Sequence, residues 1–460
     1  DPGNAKAHFN LGRLLLLRKL ENFAVKEFET ALENDPNLYP VLYWLSLVAL
    51  ERGKPEKAKD LALRALAIFP QYDQARWALV QSYLELGEGA KAKKEYKKLS
   101  QEFKASPRVR SFYGLQLAQD NQWVAAEQEL SLALNQNPNH HWVRINQGRY
   151  RLLREEFELA QGEFLQSEND HKNSPWPKIW LVRLHGLGGS CNVANQGSQI
   201  LMQYLPRWPF SHLSRAWAFD CSGQFKEVLQ HLEESLQIAP QLKESLELKG
   251  EILLRREDFK GLGNMVRPLL DQKIHQAWGY SLLAQSFYFQ KNYEMAMEMA
   301  ETAIQKNYRL ENSYIWLGLA RMQAGDVSGG ERAFLQGFRL NPHSSEFKGY
   351  MAYFFSYQSE EEKSNRWLNE GFDTNVREAT LWWVQGILQK KRGHDPEAIQ
   401  SFFKALELKP YFLRPRLDLI SYYWDQKDFK SADFQLAAAL KINSQHPEVL
   451  EWRKKLKKKI

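Results

Sequence analysis

AKAHFNLGRLLLLRKLENFAVKEFETALENDPNL, residues 5–38, carries the pattern on which the rest of the chain is built. Leu11, Gly12, Ala24, Phe28, Ala31 and Pro36 stand at positions that return every 34 residues. Pro2, Pro36, Pro70, Pro138, Pro206, Pro240, Pro342 and Pro410 all fall on that grid, so the 460 residues repeat one unit about thirteen times with no net insertion or deletion.

Columns through the 34-residue frames from Ala5 to His446 show what each position must hold. Ala24, Ala58, Ala92, Ala126, Ala160, Ala194, Ala296, Ala398 and Ala432 share one column with Gly330 and Ser364, and Val228 and Leu262 are its large members. A column kept that small marks a close crossing of two helices, because a branched side chain would push the axes apart. Gly12, Gly114, Gly148, Gly250, Gly318 and Gly386, with Ala216, Ala284 and Ala352, supply the mate of that crossing. Large apolar residues lie one turn away, as in Leu11, Leu45, Leu79, Phe28, Tyr96, Phe164, Phe334 and Phe402. Apolar spacing of three and four within each half-frame predicts two antiparallel helices per frame, joined by a short turn. Gly53, Gly87 and Gly325 close first helices, and Asp35-Pro36, Asn137-Pro138 and Asn341-Pro342 open new frames, where the missing proline amide has no partner to lose.

The unit resembles the tetratricopeptide repeat over nearly the whole chain. The resemblance implies an all-α solenoid, a right-handed superhelix of helix-turn-helix units whose first helices line the concave side. The expected organisation is the end of a preceding repeat in 1–4, thirteen repeats in 5–446 and a basic capping helix in 447–460. The pattern weakens around 175–208, 243–276 and 345–378, where Gly186, Gly188, Gly189 and Gly197, then Gly261, Gly263 and Pro268, disfavour regular helix. Val449, Trp452, Leu456 and Ile460 share one face of the last segment. Pro2 already fills a proline position and no initiator Met is present, so a piece of a longer array is expected, any targeting segment lost with the remainder.

Composition excludes several functions. Of 62 basic and 55 acidic residues, six and two lie in 447–460, which leaves an excess of three over the array, too little for a nucleic-acid groove. RNA-reading repeats are further disfavoured because a 35-residue unit would drift off this grid. No apolar run reaches the roughly 18 residues of a membrane span, and the chain reads as soluble. Compartment stays open between bacterial periplasm and cytoplasm. Cys191 and Cys221 show no metal-ligand spacing, so neither metal nor other cofactor is expected. They flank the inter-helix turns of adjacent frames, which permits a disulfide in an oxidising compartment, two unpaired thiols being the alternative. No nucleophile, base and orienting group share a surface, so no catalytic residue is assigned. Gly186 to Ser190 lacks the strand and the Lys-Ser/Thr of a phosphate loop.

Under the resemblance, frame positions 2, 5, 6, 9, 12 and 13 face the groove. Arg108, Trp142, Trp176, Phe210 and Trp278 occupy position 2, Trp180 position 6, and Arg149, Arg183 and Trp217 position 9. Aromatic and arginine side chains dominate binding hot spots, so these nine residues are the candidate partner surface. Trp44, Trp77, Trp316 and Trp383 fit packing roles instead. No three successive frames carry the Lys and Asn set that grips acidic chaperone tails, and Asn10 and Asn146 alone hold position 6 of the asparagine ladder of sugar-transferase superhelices. The expectation is a non-enzymatic scaffold that holds an extended or helical protein segment and helps assemble a larger complex. The alternative is a glycan-associated scaffold of bacterial polysaccharide export or secretion, its indoles stacking on sugars.

Overall fold

The computed structural model describes residues 3–18, 20–86, 88–172 and 174–459. Pro2, Gly87 and Ile460 of the sequence pattern lie outside them. Helix follows helix from Ala5–Leu17 to Pro447–Leu456, and no strand occurs among the described residues. No helix among them is long and apolar enough to cross a membrane. Each frame is a helical hairpin, such as His141–Leu153 with Phe157–Asp170 in repeat 5.

The small columns sit at the crossings. Ala24, Ala58, Ala126, Ala160 and Ala194 are fully buried. A Cβ on Gly12 would lie 2.5 Å from the Phe28 ring, and one on Gly148 would lie 2.4 Å from that of Phe164. The glycine thus lets the aromatic ring of the second helix seat against the backbone of the first, which fixes the hairpin's close approach.

The turn is equally regular. Frame position 15 is left-handed in Gly53, Asn121, Glu155, Gly189, Gly223, Glu257, Lys291, Gly325, Ser359, Gly393 and Lys427. The next amide then reaches back to the first helix, as Lys54 N does to Ala49 O at 2.8 Å. Several of these positions carry side chains despite a conformation that favours glycine, and three of those side chains have long-range work.

Asn121 Nδ2 donates to Arg309 O at 2.7 Å, 188 residues on. Glu155 accepts from the Ser345 amide at 3.0 Å and from its hydroxyl at 2.6 Å, 190 residues on. Glu257 accepts from Arg414 Nη2 and from His446 Nε2, each at 2.7 Å. Gly223 sits against Pro410, and Gly53 against Ala239. These five turns therefore meet the loop about five and a half repeats later, so successive coils of the solenoid lie in contact.

Repeats 6, 8 and 11 are helical pairs like the others, Trp176–Leu187 with Cys191–Tyr204 in repeat 6. Pro268 lies inside Phe259–Asp271, a helix one residue shorter than the usual second helix. The break falls in repeat 3, where Gly89–Lys97 and Gln101–Ala105 replace one helix. Ser100 caps the second piece by accepting from Phe103 N and gives its hydroxyl to Asp73 at 2.5 Å. Cys191 and Cys221 are bonded, their Cα atoms 5.5 Å apart, which staples repeat 6 to repeat 7. Pro447–Leu456 buries Val449 and Leu456, while Trp452 packs 5.7 Å from Trp424.

Candidate partner-binding surface

First helices of adjacent repeats lie side by side, so residues 34 apart become neighbours on one wall. Phe112 meets Trp142 with ring centroids 5.3 Å apart, Trp142 meets Trp176 at 5.2 Å, and Trp176 meets Trp208 at 5.2 Å and Phe210 at 4.9 Å. A second row joins Phe164, Trp180 and Trp217. Arg149 lies over Trp180 at 4.4 Å and Arg183 over Trp217 at 5.2 Å. Each arginine thus stacks on the tryptophan of the following repeat, a contact worth about 0.5–2 kcal/mol.

Seven of the nine candidates form these two rows; Arg108 and Trp278 stand outside them. Trp180, Phe210 and Trp217 are buried and spend their rings on packing. Trp142 and Trp176 are half-buried and keep an accessible edge. Trp278 packs near His275 and Leu269, away from the rows. Arg108 has a buried Nε with no acceptor among the described residues. Trp77, Trp316 and Trp383 are buried, in keeping with packing roles, and Trp44 is half-buried. Asn146 is buried and donates to Ser111 Oγ at 3.1 Å.

The interior of the coil is charged. Arg149 reaches Glu244 at 3.4 Å, 95 residues on, which is half the spacing between stacked coils, so this pair spans the interior from wall to wall. Lys243 and Glu247 are 3.7 Å apart, and Arg255 lies 2.9 Å from Glu251. Glu85 is exposed to water yet ringed by protein, and desolvation with the nearby Glu244 charge lifts its carboxyl to about 7. Desolvation, aided by Glu378 and Glu251, lifts Glu346 to about 8. A partner helix, roughly 10 Å across, could not lie between these walls without displacing the Arg149–Glu244 pair.

The open side of the aromatic rows lies where repeats 5 and 6 meet. An open depression of about 660 Å³ is lined by His141, Asn169, Asp170, His171, Lys172 and Ser174. His141 contacts Ser167 Oγ at 3.0 Å and Ser174 Oγ at 2.8 Å. Desolvation, then His171, His140 and Arg108, push its ring down to about 4, so it is neutral at pH 7. Sequence reasoning missed this depression because its lining comes from helix ends and the turn between repeats 5 and 6, outside the groove positions.

Two sequence profiles, both described as tetratricopeptide repeat, match residues 49–116 and 23–73. No curated protein matches the chain. Among solved structures, the crystal structure of the APC/C hetero-tetramer Cut9-Hcn1 is similar over 90% of this chain and 88% of that chain, at 15% identity and a TM-score of 0.42. With hairpins of one length repeating through the described residues and two windows matching the repeat, the chain is a tetratricopeptide-repeat protein, an α-solenoid of the kind that scaffolds protein interactions.

Proposed function

We propose that the chain is a non-enzymatic scaffold that takes up an extended segment of a protein partner along the inner rim of repeats 4 to 6 and so helps assemble a larger complex. The observation that carries this is the juxtaposition of two half-buried indoles, Trp142 and Trp176, with the depression beside His141 and Lys172. Rigid aromatic edges supply contact area at small entropic loss, and an open polar hollow beside them seats a segment's backbone.

The glycan alternative calls for flat indole faces turned outward. Trp142 and Trp176 instead engage each other, and Trp176 engages Trp208 and Phe210, in tilted and edge-on contacts. The Cys191–Cys221 bond is of a type that persists in an oxidising compartment, and we place the chain there.

Affinity capture with the wild type and two variants tests the site. Trp142→Ala removes an anchor, and Lys172→Glu reverses charge on an exposed turn. The partner retained by the wild type should be lost from both, with the melting temperature of the loop variant unchanged. Full retention by both would remove the site.

A further inference from the structure

Frame positions 4 and 23 face each other inside each hairpin. In repeats 3, 4 and 5 they hold an ion pair: Arg76 with Glu95 at 2.8 Å, Arg110 with Glu129 at 3.1 Å, and Arg144 with Glu163 at 2.8 Å. In repeat 13 Arg416 donates to Gln435 at 3.0 Å. The residue at position 4 also donates to the carbonyl six residues before it, as Arg416 does to Pro410 O at 2.8 Å and Tyr314 to Tyr308 O at 2.9 Å.

Repeat 7 fills the same place with other chemistry. His212 stands at position 4 on Pro209–Cys221, and His231 stands at position 23 on Phe225–Ile238, with Glu234 one turn further. His212 Nε2 lies 3.0 Å from Pro206 O, in the position of the arginine donors. A carbonyl oxygen can only accept, so Nε2 carries a hydrogen and Nδ1 is the atom turned inward. That Nδ1 lies 2.8 Å from Glu234 Oε2 and 3.4 Å from His231 Nδ1, and His231 Nδ1 lies 3.1 Å from the same carboxylate oxygen. Nδ1 and a carboxylate oxygen approach this closely with either a proton or a metal ion between them. Ligand atoms held about 2.0–2.2 Å from one ion at angles near 90–110° stand about 2.8–3.6 Å apart, which is the spacing of these three atoms.

The surroundings hold the three groups in place. Gln230 Nε2 donates to Glu234 Oε1 at 3.3 Å, Phe219 stacks on the His231 ring at 5.6 Å, and the Arg215 guanidinium lies 4.3 Å from the Phe219 ring. His212 is buried, while the Glu234 side chain is 37% exposed and leaves one side open.

We propose that His212, His231 and Glu234 bind one divalent first-row transition-metal ion, zinc in the first place, with a remaining position open to water or to a donor from a partner. The ion ties the two helices of repeat 7 together at the place where repeats 3 to 5 use an ion pair. His212 Nε2 on Pro206 O and Gln230 on Glu234 are the outer contacts that orient ligands in such a site.

The test titrates chelator-stripped protein with zinc chloride against a chromophoric chelator, and with cobalt(II) to read the visible ligand-field bands. The wild type should take up one ion, more weakly as pH falls through the imidazole range because protons compete for both Nδ1 atoms. His212→Arg with His231→Glu rebuilds the ion pair of repeats 3 to 5, so it should fold; its affinity should drop by more than about 100-fold, beyond what loss of an outer contact gives. Glu234→Gln keeps both imidazoles and serves if the double variant fails to fold, with an expected loss of at least about 10-fold. Equal titrations of wild type and variants would overturn the proposal, since any ion then sits elsewhere, such as at His141 and His171. So would a wild type that takes up none.

Discussion

The crossing inside each hairpin and the contact between stacked coils join the same helices by opposite means. The crossing is dry, with Gly148 against the Phe164 ring and Ala160 fully buried. The coil contact is polar, with Glu257 between Arg414 and His446 and Asn121 on a backbone carbonyl. The first follows the repeat and recurs in every frame; the second follows the superhelix, whose turn is not a whole number of repeats, so its residues differ at each station. Hairpin identity is thus set by shape, and the pitch of the coil by individual hydrogen bonds and ion pairs.

The largest effect should come from breaking a crossing. Phe164→Ala is expected to lose about 3–5 kcal/mol, measured by urea unfolding followed by circular dichroism, because the pocket cut by Gly148 is left empty. Next comes the staple between repeats 6 and 7. Reducing Cys191–Cys221, which closes a 30-residue separation, should lose about 3.5 kcal/mol, and thiol reagents should label the folded chain only after reduction.

Glu257→Gln attacks the coil contact alone. Arg414 keeps some water, so the loss should be about 2 kcal/mol, below that of a fully buried pair. Hydrogen exchange should quicken at the turn 256–258 and in 442–446 while helix interiors stay protected. Equal quickening throughout would mean that the two kinds of contact are not separable.

The smallest effect concerns the charged interior. Glu346, lifted to about 8 by desolvation and by Glu378, holds a proton in the folded chain that the unfolded chain gives up near its ordinary value. Stability from this group therefore falls as pH rises from about 5 to about 8. Water in the interior screens the effect to about 1 kcal/mol. Glu346→Gln should flatten that part of a melting-temperature profile against pH, and an unchanged slope would show that the carboxyl titrates normally.

The legible part of the molecule is the part with a repeat period. Small residues every 34 positions marked the crossings, and Gly53 and Gly325 marked two of the turns, because close approach and left-handed backbone each demand a residue type. Glu155 and Glu257 occupy the same turn position against that demand, and their departure from glycine was the available trace of the coil contacts. It could not be used without knowing how many repeats make one turn. The aromatic rows were visible as columns, but burial of Trp180 and Trp217 beneath Arg149 and Arg183 depends on the lateral stacking of helices, which column positions do not fix. The break in repeat 3 escaped notice because Lys97 to Ser100 keeps the frame length while Ser100 begins a new helix.

The central claim is that successive coils touch. Lys291 and Glu448 lie 3.9 Å apart on facing coils, and both reach solvent. Cysteines at these two positions carrying nitroxide labels, with Cys191 and Cys221 left bonded, allow pulsed electron-electron resonance to measure the gap in solution. One short, narrow distance is predicted, unaltered by Trp142→Ala. A long, broad distribution in the unmodified background would mean that the coils stand apart and the interior is open.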